Sequence, residues 1–78
     1  MVDEQFLKKL GENISRIRKE KGITQIELGH RCDFDRSNMR RIESGRTNPT
    51  VLTLKKICEG LEVSMEELVR FEEKKKGK

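Results

Sequence analysis

The 78-residue chain has no tryptophan or tyrosine, one histidine and two cysteines. Aromatic residues make up 4% and charged residues 41%, close to the composition of chains that cannot bury enough apolar surface to fold. Several functions fall away for want of parts. One histidine, no glycine-rich phosphate loop and no evident pair of carboxylates leave no catalytic constellation, so the chain is not expected to be an enzyme. Cys32 and Cys58 lack Cys-x-x-Cys spacing, and together with His30 they match no zinc pattern. They are read as reduced core thiols, with no disulfide, metal or cofactor expected. No apolar run approaches the length of a membrane span, so no membrane partner is expected. The opening MVDEQFLKKL lacks the apolar stretch of a secretory signal, which makes a cytoplasmic location the expectation.

What is present is helical periodicity. At this length the chain is one domain, near the lower limit for folding alone. Phe6, Leu7, Leu10, Ile14 and Ile17 fall on one arc of a helix over 4–21, with Asp3 as its N-cap and Gly22 as its stop. Arg18 lies at the edge of that arc and needs a partner if it is buried. Thr24-x-x-Glu27 is a capping box opening a second helix, on which Leu28, Gly29 and Cys32 share a face. Gly29 suggests close approach of another helix. Cys32, Asp33 and Phe34 make a turn in which Asp33 takes the left-handed conformation and Phe34 plugs the core.

Asp35 caps a third helix over 36–44. Met39 and Ile42 fall on one side, and Arg36, Ser37, Arg40 and Arg41 on the other. Gly45 ends it, and Arg46 to Pro49 is a loop. Thr50 caps a fourth helix with Leu54, Ile57, Cys58 and Leu61 at buried-face spacing. Ser64-x-x-Glu67 is a second capping box, opening a fifth helix over 64–73. Its stripe of Met65, Leu68, Val69 and Phe71 is either core or a dimer seam.

The net charge of +4 misleads unless it is located. Lys74, Lys75, Lys76 and Lys78 account for it, leaving fourteen basic and fourteen acidic residues in 1–73. Residues 1–73 are the expected domain, and 74–78 a disordered basic tail adding only salt-sensitive, non-specific affinity. Within the neutral body, Arg36, Arg40, Arg41 and Arg46 cluster against Glu43 alone. Such clustering is an electrostatic footprint for nucleic acid.

A helix fits the DNA major groove, where forked donors read the edges of bases. Arg36, Ser37, Asn38, Arg40 and Arg41 are the candidate base-reading residues. Thr24 and Gln25 sit at a helix N-terminus, a natural phosphate site. Arg46, Asn48 and Thr50, in the loop after the third helix, are the candidate grips on the backbone.

Residues 14–69 resemble the Cro/C1-type (Xre-like) helix-turn-helix regulators. The resemblance rests on Ile17-Arg18, Gly22-Ile23-Thr24-Gln25, Leu28, Phe34, Ile42-Glu43, Gly45, Asn48-Pro49-Thr50, Leu54 and Val63-Ser64. Within the family, DRSNMRRIESGRTNPT is most like phage repressors and restriction–modification controllers. The resemblance implies an all-α, compact five-helix, lambda-repressor-like domain. It implies a sequence-specific regulator of transcription, binding double-stranded DNA at an inverted-repeat operator as a homodimer. It implies that Gln25 bonds a phosphate and helps orient Arg36, and that Arg18 and Glu43 form a buried ion pair. Four positions depart from the family pattern. Gly29 stands for the usual Ala, Asp33 for the usual Gly, Arg40 for a small polar residue and Ile26 for an exposed acid. The alternatives are an antitoxin that also binds a toxin, and a protein-interaction module on the same fold.

Overall fold

Capping residues and apolar spacing together set the helix boundaries. A computed structural model describes residues 3–71, which form α1 (Asp3–Glu20), α2 (Gln25–Cys32), α3 (Arg36–Glu43), α4 (Val51–Leu61) and α5 (Met65–Val69). Both capping boxes form. Thr24 Oγ1 accepts from Glu27 N at 3.0 Å, and Ser64 Oγ accepts from Glu67 N at 3.1 Å. Thr50 Oγ1 accepts from Thr53 N at 3.1 Å and Asp35 Oδ1 from Asn38 N at 2.9 Å. Each cap satisfies an amide that has no partner within its own helix, which commonly contributes about 1 kcal/mol.

Four of the helix ends turn through the left-handed region, at Gly22, Asp33, Gly45 and Glu62. Asp33 takes φ 63° and its N–H donates to His30 O. Phe34 N then closes on Gly29 O at 2.8 Å, making the turn between α2 and α3 tight.

The core is one cluster drawn from all five helices and the turn before α2. Ile14, Leu28, Met39, Ile57, Leu61 and Leu68 are fully buried in it, and Phe34, Leu54, Val63 and Phe71 pack against it. Both cysteines are buried and free. The Cys32 thiol donates to Lys56 O at 3.4 Å, and burial pushes both thiols above their ordinary pKa.

Several boundaries differ from the sequence reading. Asp3 lies inside α1 rather than capping it, and Lys21 and Ser44 belong to turns. α5 ends at Val69, because Arg70 is extended with ψ 105°, so the helix does not run on toward 73. The basic tail lies outside the described residues. Phe6 shares the apolar arc of α1 but is 43% exposed, since one turn from the helix start it lies beyond the core. It meets Phe71 instead, with ring centroids 5.3 Å apart. The apolar stripe of the fifth helix divides: Leu68 is core, while Met65 and Val69 stay partly exposed.

Candidate nucleic-acid interface

The site is built on α3, eight residues long, with two of them buried in the core. Met39 is 0% and Ile42 4% exposed, and the helix is bolted to the core through these side chains. Arg36, Ser37, Asn38, Arg40 and Arg41 all point into solvent. α3 packs against both α1 and α2. α1 comes so close that a Cβ on Gly11 would lie 2.4 Å from Glu43 O and 2.5 Å from Ile42 O. Gly45, at φ 78°, presses equally hard on the backbone of Lys8. The C-terminal end of α3 is therefore seated on the backbone of α1, while its N-terminal turn lies beside α2.

Charge partners divide the eight arginines into two groups. Arg16, Arg18, Arg31 and Arg70 each pair with a glutamate. Among the described residues Arg36, Arg40, Arg41 and Arg46 make no ion pair with a carboxylate. These are the arginines on the outer face of α3 and in the loop after it. Ser37, Arg40, Arg41, Ser44 and Arg46 line one shallow depression of about 390 Å³ that contains no acid. Ser44 was not singled out from the sequence, where it reads as an ordinary helix-end residue. Arg36 lies in a neighbouring recess with Gln25, Ile26, Gly29, His30, Phe34 and Asp35.

Behind the arginine face lies a buried network. Arg18 Nε donates to Glu43 Oε2 at 2.8 Å and Nη2 to Glu43 Oε1 at 3.1 Å. Arg18 Nη1 donates to Ile23 O at 2.8 Å, and Gln25 Nε2 donates to Glu43 Oε1 at 3.0 Å. One carboxylate thus links α1, α2 and α3. The Gln25 amide is directed at Glu43 and not at Arg36, although both side chains border the same recess.

The expected phosphate grips are placed unevenly. The hydroxyls of Thr24 and Thr50 are engaged as caps. What α2 and α4 still offer there are the backbone N–H groups of their first residues, Gln25–Ile26 and Val51–Leu52, which no intrahelical bond satisfies. Arg46, Asn48 and Thr50 are exposed in the loop and at the cap beyond it. Gly29 has Phe34 O and Met39 Cγ over it, so the close neighbour expected there is the turn together with α3.

Among the described residues no group of three or more His, Cys, Asp and Glu could hold a metal ion, and no helix is long and apolar enough to cross a membrane.

Comparison with known proteins bears on the family and the fold. The helix-turn-helix family profile matches residues 14–68. The uncharacterized HTH-type transcriptional regulator y4dJ of Sinorhizobium fredii is 45% identical over 62 residues, covering 80% of each chain. Control protein C.MunI of a Mycoplasma species is 33% identical over 61 residues, 77% of this chain and 82% of its own. Among solved structures, the restriction-modification controller protein C.AhdI from Aeromonas hydrophila superposes with a TM-score of 0.78 at 29% identity. That match covers 80% of this chain and 94% of the controller.

Proposed function

The chain belongs to the Cro/C1-type helix-turn-helix regulators, and we propose that it reads a specific double-stranded DNA operator with α3. DNA binding through the helix-turn-helix is the family's function, and neither the fold nor the relatives are those of an enzyme. The finer assignment is ours. The observation that carries it is the set of four arginines on one face that have no carboxylate partner among the described residues, while the other four are paired. In water alone such a face repels itself; against a phosphate backbone it is complementary.

In this reading Arg36, Ser37, Asn38, Arg40 and Arg41 face base edges in the major groove. Arg46 and Asn48 hold backbone phosphates from the loop. The free N-terminal amides of α2 and α4, at Gln25–Ile26 and Val51–Leu52 behind the caps Thr24 and Thr50, hold two more. Arg18 and Glu43 keep α3 at its angle. Val51 and Leu52 at 72% and 69% exposure, with Met65 and Val69, leave apolar surface on α4 and α5. We assign it to a homodimer that places two copies of α3 on an inverted repeat.

Selection of bound sequences from a random DNA pool tests this directly. A symmetric site with two half-sites about one helical turn apart is expected. Arg36→Ala and Arg41→Ala should each relax base choice within a half-site. Unchanged base choice in both variants at physiological salt would refute base reading by α3. A monomer in sedimentation, free and on DNA, would refute the dimer.

A further inference from the structure

Asp35 is an acid at the very tip of an otherwise cationic face. It is exposed, and the only hydrogen bond its side chain makes among the described residues is from Asn38 N to Oδ1. Oδ2 has no partner. Arg36 and His30 border the same recess, yet Asp35 pairs with neither. Capping alone does not require a carboxylate, since Thr24, Thr50 and Ser64 cap α2, α4 and α5 with hydroxyls. A free carboxylate oxygen beside phosphates is repelled unless it meets a donor.

Major-groove donors are the exocyclic amino groups of cytosine and adenine. Adenine carries the acceptor N7 beside its N6, which faces a carboxylate with repulsion. Cytosine shows N4–H with no acceptor next to it. Guanine and thymine present acceptors at the corresponding edge.

Resting on the assignment of α3 as the DNA reader, we propose that Asp35 is a specificity-determining residue. Its Oδ2 accepts a hydrogen bond from the N4 amino group of a cytosine adjacent to the base read by Arg36. The same oxygen excludes guanine and thymine there by repulsion between acceptors. Asp35 thus does two things with two oxygens: Oδ1 holds the first turn of α3, and Oδ2 reads.

The test uses the full chain and the operator found by selection, with each half-site position varied to all four pairs. Wild-type protein should prefer cytosine over thymine about tenfold at one position beside the Arg36 contact, the scale of one good base contact. Asp35→Ser keeps the cap and removes the reading oxygen. It should lower that preference below about twofold while binding random DNA as well or better. Asp35→Asn keeps the capping oxygen and presents an amide donor outward, so its preference should turn toward thymine or guanine. A thermal melt of each variant shows that it is folded. Unaltered base preference in folded Asp35→Ser or Asp35→Asn would show that Asp35 only caps, leaving the reading of DNA by α3 intact. Wild-type protein that selects no sequence at all would overturn both.

Discussion

Arg18 of α1 and Glu43 of α3, twenty-five residues apart, meet through two hydrogen bonds, with side chains only 10% and 7% exposed. Removing either partner leaves a charge in the interior with too few partners. Arg18→Ala or Glu43→Ala should each lower stability by about 3–5 kcal/mol, read from urea unfolding midpoints. An apolar double replacement, Arg18→Met with Glu43→Leu, should cost less than either single change, because no charge is stranded. Its DNA affinity then reports whether the pair also sets the angle of α3.

Arg46 should behave differently from the α3 arginines. In Arg46→Ala affinity should fall to a similar degree for operator and random DNA, and the slope of log affinity against log salt should shrink by about 1. Arg36→Ala should instead lose about 1–3 kcal/mol on the operator and much less on random DNA. Titrations at several salt concentrations separate the two.

Gly11→Ala is a change that helix propensity alone favours, by up to about 1 kcal/mol. The new methyl would strike the backbone carbonyls of Ile42 and Glu43, which cannot rotate away. Net destabilisation of about 1–3 kcal/mol is expected, with operator affinity falling beyond what the lost stability explains. Calorimetry and a gel shift on the same sample check both.

The two thiols predict an alkaline weakness. Burial raises the pKa of Cys32 and Cys58 in the folded protein above the usual value of 9.0. Below that value the thiols are neutral in both states and take nothing from stability. Above it the unfolded chain ionises first, so stability should fall as pH rises past 9.0 toward the higher folded-state values. Urea midpoints across that range should slope less steeply in a Cys32→Ala, Cys58→Ala double variant than in wild type.

The elements were legible because their signals are local. Thr24-x-x-Glu27, Ser64-x-x-Glu67, Asp35 and Thr50 mark helix starts within four residues, and three- and four-residue apolar spacing does the rest. The arginine face was legible for the same reason. The pairing of Arg18 with Glu43 came only from family resemblance, since nothing local joins positions so far apart. Two long-range features gave no signal. Gly11 is small because a distant backbone lies over it. Asn13, 5% exposed, donates to Leu68 O at 2.7 Å and to Glu67 O at 3.3 Å, closing the end of α5 across more than fifty residues of sequence. That contact helps to explain how so short a helix ends at Val69, where sequence alone suggested it would continue.

Met39, Ile42 and Glu43 attach α3 to the rest of the fold, while the five outward positions point into solvent. If α3 is the reader proposed above, recognition and folding are written in separate letters of the same eight-residue word. On the proposed reading, a duplicated gene can drift at 36, 37, 38, 40 and 41 toward a new operator while its product stays folded. Two copies in one cell can thus acquire distinct addresses by surface substitutions alone, each step passing through a protein that still holds its shape.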